Sequence, residues 1–226
     1  MFCNNCGKEI TENSRYCSHC GSEIGQNQLA LVNNNAMQEA ERIKNEGNVY
    51  LNQQNYRKAM EFYSKAIKVC PEYPDAYNNR GICYKQLGEV NLAIEDYNKA
   101  LMLNPTFLKT YINRGGLFIG KGQFAKALSD YNNAIRLDFD NGFAYSQRAR
   151  AYCLLEDYDN ALSDCNKALQ LNAPNTDEIN ELLHTIAELK RDDKVLGFFS
   201  GVGEVAKNFA VGFLQGALDN DDDDDD

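Results

Sequence analysis

A period of 34 residues governs most of this chain, and it leaves few folds open. Four units run from Ala40 to Tyr73, Pro74 to Phe107, Leu108 to Asn141 and Gly142 to Asn175. The eighth position is small in each: Gly47, Gly81, Gly115 and Ala149. The eleventh is aromatic: Tyr50, Tyr84, Phe118 and Tyr152. Alanine holds the twentieth position (Ala59, Ala93, Ala127, Ala161) and the twenty-seventh (Ala66, Ala100, Ala134, Ala168). Small residues at this spacing let two helices approach closely while the aromatic fills the gap beside them. The pattern predicts a pair of antiparallel helices per unit, each pair burying its apolar face only against its neighbours.

The signature resembles the tetratricopeptide repeat (TPR) family over residues 40–175, and segments such as Tyr77-Asn-Asn-Arg-Gly81 and Tyr111-Ile-Asn-Arg-Gly115 carry the likeness. The resemblance implies a mainly α fold, a right-handed α-solenoid of four TPR helix pairs with an extended concave surface. Phe139 and Ala173 stand where Pro71 and Pro105 hold the thirty-second position, so those two junctions should bend differently. Residues 176–193 place Ile179, Leu182, Leu183, Ile186 and Leu189 at helical spacing between charged residues, a helix expected to cap the last repeat.

Ahead of the repeats, residues 1–24 hold Cys3-x2-Cys6 and Cys17-x2-Cys20 with ten residues between the pairs. Two residues between paired cysteines let one tight turn aim both sulfurs at an ion, and four thiolates close a tetrahedron round zinc. Gly7 and Gly21 each follow the second cysteine of a pair, where such a turn often needs positive φ. Ile10, Tyr16 and Ile24 lie in short polar runs that read as small strands around the metal. The doubled Cys-x-x-Cys-Gly resembles the zinc-ribbon family. A catalytic zinc keeps an open position, so Cys3, Cys6, Cys17 and Cys20 read as ligands of a structural Zn2+, with His19 a bystander. So small a segment should not fold without its metal.

Residues 25–39, rich in Asn and Gln with no sustained period, read as a linker. Cys70, Cys83, Cys153 and Cys165 have no Cys-x-x-Cys partner and read as core filler, and His184 as a surface residue of the capping helix. Nothing at the N-terminus reads as a leader, and clustered cysteines fit metal binding in a reducing compartment, which makes the cytoplasm the expected location.

Charge bounds the partners. The net charge is −10, but Asp219 and Asp221 to Asp226 supply seven of the 33 acidic residues; without them 26 acidic residues face 23 basic ones. That balance argues against a surface built to neutralise phosphates, and nucleic-acid contact through the ribbon is the alternative of a different class. Gly115-x4-Gly120-Lys121-Gly122 nearly spells a phosphate-binding loop, but Gly122 replaces the required hydroxyl residue and the register puts Gly120–Gly122 in an interhelical turn. No catalytic set appears elsewhere, so the chain reads as an adaptor or scaffold and not as an enzyme.

At about 100° per residue, positions 2, 5, 6, 9 and 12 of each first helix share a face expected to line the groove. They read Glu41, Lys44, Asn45, Asn48 and Leu51, then Asp75, Asn78, Asn79, Ile82 and Lys85. The third and fourth sets are Lys109, Ile112, Asn113, Gly116 and Ile119, then Phe143, Ser146, Gln147, Arg150 and Cys153. Four cations against two anions suit an acidic or extended protein or peptide partner. Family members that bind the acidic C-terminal tails of heat-shock chaperones use a two-carboxylate clamp. The resemblance implies that Lys44 and Asn48 supply its first element, Asn79 its second and Lys109 its third. Asn113 stands where the clamp has arginine, and losing that bidentate donor should weaken carboxylate binding.

Residues 194–218 form an amphipathic, glycine-rich helical segment, with Leu196, Phe199, Val202, Val205, Phe209 and Phe213 near helical spacing. Glu204 and Lys207 make it a poor membrane span. Docking on the repeats, self-association and, through 195–218, lying on a membrane surface as a peripheral scaffold are its three readings. The acidic tail, 219–226, follows.

Overall fold

The structure is a computed structural model. It describes residues 2–3, 5–11, 14, 16–22 and 26–196, with side chains of the longest helices described from 34 to 191. Residues 197–226, which hold most of the glycine-rich segment and the whole acidic tail, lie outside the described residues. The fold is mainly α. Nine helices are described: α1 (Gln26–Asn52), α2 (Tyr56–Val69), α3 (Pro74–Gln86), α4 (Val90–Leu103), α5 (Leu108–Gly120), α6 (Phe124–Leu137), α7 (Gly142–Leu154), α8 (Tyr158–Gln170) and α9 (Thr176–Leu196). They fall into two compact units, Met1–Leu87 and Gly88–Asp226.

The helix ends follow local chemistry. Pro74 opens α3, where its missing N–H costs nothing, while the side chains of Asn55, Asn141 and Asp157 cap α2, α7 and α8 by accepting backbone N–H bonds. One boundary differs from the sequence reading. The stretch read as a linker is helical from Gln26 onward, so α1 runs a full 27 residues. Gln, Leu and Ala are good helix formers, no Gly or Pro interrupts residues 26–46, and propensity carries the helix past the apolar periodicity.

In the first unit α1 packs on α2 and α2 on α3, with α1 and α3 as neighbours; in the second, each helix from α4 to α9 packs on the next. All eight alanines at positions twenty and twenty-seven are fully buried. Beside them sit Tyr63 and Tyr131 at position twenty-four, also fully buried. A Cβ on Gly115 would lie 2.6 Å from Tyr131 Cε1, and one on Gly47 2.7 Å from Tyr63 Cε1. The small eighth residue is thus the seat of the tyrosine ring. Repeat four shifts volume from one side to the other, with Ala149 at the seat and Cys165 in the ring's place. Cys83, Cys153 and Cys165 are core residues, and burial pushes the Cys165 thiol up to about 12.

A polar ladder accompanies the apolar one. Arg114 makes a two-pronged bond to Asp130 of its own repeat (2.8 and 2.6 Å) and reaches back to Asn98 on α4 at 2.6 Å. Arg148 repeats this with Asp164 (2.7 and 2.8 Å) and with Asn132 on α6 at 2.6 Å. Arg80 likewise bonds Ser64 on α2 at 3.2 Å. Each guanidinium lies beside the rings at positions four and eleven, as Arg148 does with Tyr145 and Tyr152. Each such arginine ties its repeat to the one before. The sequence reading passed over this set, though arginine at position seven with aspartate at position twenty-three recurs in the last three repeats.

Helix α9 closes the second unit. Ile179, Leu182 and Ile186 pack with Ala149, Cys153, Ala161, Cys165, Ala168 and Ala173 in one cluster, while Lys190 bonds Asp159 of α8 at 2.5 Å. His184 is exposed beside Glu188, as expected of a surface residue. Gly120 ends α5 and Lys121 caps it, so the loop-like glycine run is an interhelical turn. Phe139 is 66% exposed at its repeat junction, whereas Ala173, the other proline substitute, is buried.

Candidate functional site

Two backbone turns of the same design build the ribbon. Cys3 N–H donates to the Lys8 carbonyl at 2.8 Å and Gly7 N–H to the Cys3 carbonyl at 2.7 Å; Cys17 N–H to Ser22 and Gly21 N–H to Cys17, both at 2.8 Å, repeat the pattern. Gly7 and Gly21 take the expected positive φ, 67° and 69°. Isolated bridge positions, Phe2 paired antiparallel with Glu9 and a further one at Tyr16, stand among the described residues where short strands were read. Chain economy explains this: the turns spend the residues that longer strands would need.

The turns bring together all four cysteines. Their Sγ atoms lie within 4.8 Å of one another, with Cys3 to Cys20 and Cys6 to Cys17 both at 3.6 Å. A tetrahedral ion with metal–sulfur bonds of about 2.3 Å requires sulfur–sulfur edges of about 3.8 Å, so the cluster fits a metal of that size. Donors surround the sulfurs: His19 N–H reaches Cys17 Sγ at 3.4 Å and Asn5 Nδ2 reaches Cys20 Sγ at 3.7 Å. The Ser22 hydroxyl lies 3.3 Å from Cys3 Sγ and 3.0 Å from Cys20 Sγ. With the Ser22 backbone N–H, it pulls the Cys20 thiol down to about 5. Ser22 is a hydrogen-bonding neighbour of two of the sulfurs that the sequence reading missed; its only signal was a hydroxyl two residues past Cys20, where the first turn has Lys8. The His19 side chain is exposed and no part of the cluster.

The residues of the expected clamp divide between the two units. Lys44 and Asn48 lie one turn apart on α1 and Asn79 on α3, all half-buried. Lys109, exposed, and Asn113, half-buried, lie on α5 of the second unit. In the first unit the structure joins the two asparagines: Asn79 Nδ2 donates to Asn48 Oδ1 at 3.0 Å, linking first helices of successive repeats. Tyr63 Oη donates to the same Asn48 oxygen at 2.9 Å, and Asn78 Nδ2 donates to Asn79 Oδ1 at 3.0 Å.

Other members of the expected groove face are not open. Asn78, Ile119, Ser146, Gln147, Arg150 and Cys153 are buried. Positions five and twelve turn toward the neighbouring first helix, α5 toward α7 and α7 toward α9. In repeat four this covers the whole polar end of the face: Ser146 Oγ bonds Asn175 at 3.1 Å, and Arg150 lies 3.9 Å from Glu178 at the start of α9.

Family models of the tetratricopeptide repeat match residues 47–88, 74–107, 108–141 and 144–175, together more than half of the chain. The chain is a tetratricopeptide-repeat protein. A zinc-ribbon domain model matches residues 2–24 of this TPR protein, and the four cysteines are its candidate metal ligands. Among curated relatives, DnaJ homolog subfamily C member 7 of Mus musculus is 38% identical over 58 residues, and that of Homo sapiens 40% over 53. Those stretches cover 26% and 24% of this chain, which spans only 12% and 11% of the two relatives.

Among solved structures, the first TPR of Spaghetti (RPAP3) bound to the HSP90 peptide SRMEEVD is 28% identical. It covers 53% of this chain and 94% of its own, with a TM-score of 0.51. The MamA RS-1 ArsTM double mutant aligns over 80% of this chain and 97% of its own, at 20% identity and a TM-score of 0.61. YrrB aligns over 63% and 73%, at 22% identity and a TM-score of 0.56. The last two establish the fold alone. Among the described residues, no helix is long and apolar enough to cross a membrane.

Proposed function

We propose that this TPR protein is a non-enzymatic adaptor that binds an acidic peptide, one ending in a free carboxylate, through Lys44, Asn48 and Asn79, while Cys3, Cys6, Cys17 and Cys20 hold a structural Zn2+. The observation that carries the reading is the bond between Asn48 and Asn79. It sets two amides on successive first helices, with Lys44 one turn away on α1. A lysine ammonium beside amide N–H groups is the chemistry that receives a carboxylate. The similar RPAP3 domain, bound to a peptide that ends Glu-Glu-Val-Asp, supports it. By resemblance, Lys109 and Asn113 of the second unit are further peptide-binding candidates, with Asn113 a weaker donor than the clamp's arginine.

The test titrates the full chain with fluorescent SRMEEVD and with the same peptide amidated at its C-terminus. The acid should bind and the amide should bind at least tenfold more weakly. Lys44→Ala should lower affinity for the acid by roughly tenfold, as loss of one charge-assisted bond does. Equal binding of acid and amide, or an unchanged Lys44→Ala variant, would overturn the reading.

A further inference from the structure

Resting on that reading of the peptide site, we infer that Tyr63 is a positioning residue for it: its hydroxyl fixes which end of the Asn48 amide faces the peptide.

An asparagine side chain presents a carbonyl on one side and an amino group on the other, and the two ends exchange by a half-turn about the last bond. A carboxylate needs the N–H end; a carbonyl facing it repels. Asn48 therefore binds an acidic peptide only in one of two nearly isosteric orientations. The structure holds it in that one. Its Oδ1 accepts from Tyr63 Oη at 2.9 Å and from Asn79 Nδ2 at 3.0 Å.

The two donors are unequal in what they enforce. Asn79 could itself turn and offer its oxygen, were it not bonded to Asn78, which is buried. Tyr63 is fully buried on α2, locked by the seat that Gly47 makes for its ring, and burial raises its phenol so that it stays protonated. It donates from a fixed point. The bonds run one way, from Asn78 to Asn79 to Asn48, with Tyr63 closing the end. They leave both N–H groups of Asn48 uncommitted by the network, while Asn79 also lies in hydrogen-bonding contact with Tyr63. Repeat three supplies the contrast within the same chain: Tyr131 holds the same position, but the residue matching Asn48 is Gly116, with no side chain to orient.

The experiment compares Tyr63→Phe, Tyr131→Phe, Lys44→Ala and Asn48→Asp in the full chain, reading thermal melting, SRMEEVD affinity and the side-chain amide NMR signals of Asn48 and Asn79. Tyr63→Phe gives up a buried hydrogen bond and should melt slightly lower than wild type, and Tyr131→Phe should melt no lower than Tyr63→Phe. Only Tyr63→Phe should weaken the peptide, by roughly threefold to tenfold for one neutral hydrogen bond, and shift the Asn48 amide signals in the free protein. Asn48→Asp keeps the acceptor but removes the N–H end. It should melt near wild type and lose the acidic peptide, and adding Tyr63→Phe should then change affinity no further. Wild-type affinity in Tyr63→Phe while Lys44→Ala loses the peptide would overturn this inference alone; wild-type affinity in both would overturn it together with the reading beneath it. An equal loss in Tyr131→Phe would reduce Tyr63 to packing and also overturn it.

Discussion

The ribbon and the repeats reach order by opposite routes. In residues 2–22 the buried apolar groups are Cys3, Ile10 and Cys17, and two of those three are candidate metal ligands. What is precise there is the backbone: two matched turns that converge four sulfurs. In the repeats the backbone is ordinary helix, and precision lies in side-chain volume, with eight buried alanines and tyrosines seated on glycine. With an ion on its four sulfurs the first route would be all or nothing; the second accumulates from one repeat to the next. A protein made of both should lose them separately.

Metal removal should break the comparison most sharply. A strong chelator should collapse the dispersed amide signals of residues 2–22 and leave the helical circular dichroism of the repeats in place. Metal analysis of protein purified under reducing conditions should find one zinc per chain, and Cys6→Ser should abolish it. Cooperative loss of the repeats on chelation would show that the two regions share their stability.

Next in size is the polar ladder. Arg148→Met leaves the Asp164 carboxylate buried without its two-pronged partner, which should cost about 3–5 kcal/mol. Arg148→Met with Asp164→Leu should recover most of that loss, because removing both charges is far cheaper than orphaning one. A urea titration of single and double variants checks this, and equal instability of both would mean that packing by the arginine stem, not charge, is what matters.

The smallest effect concerns the seat. Gly115→Ala pushes a methyl against the Tyr131 ring and should cost about 1–3 kcal/mol. Repeat four already carries the compensated pair, Ala149 with Cys165, so Tyr131→Cys should cost less in the Gly115→Ala background than alone. Additive losses in that cycle would separate the two positions.

The parts legible from sequence were those with a strict spacing rule. Small and aromatic positions at a 34-residue period fixed the helix pairs, and paired cysteines with following glycines fixed the turns down to the sign of φ at Gly7 and Gly21. What escaped depended on a neighbour. A helical wheel drawn for α7 alone puts Ser146, Gln147 and Arg150 on an open face, and only α9 explains why they are covered. The helix running back to Gln26 escaped for a related reason: absence of apolar periodicity denies a buried face, not a helix. Asn48 and Asn79 were picked out by resemblance, but that Tyr63 holds them lies in a contact fifteen residues from Asn48 that no motif records.

The arginine ladder also says how such a chain can change length. Arg114 and Arg148 each ask two things: an aspartate within their own repeat and a short polar side chain, Asn98 or Asn132, in the repeat before. Neither asks anything of the repeat that follows. A copied unit of this type carries its own plug and presents its own socket, so duplicating the third repeat after itself needs no new complementary residue at either junction. For lineages of this chain, gain of a repeat would then be a single genetic step, while loss of an internal aspartate would be the harder change to survive.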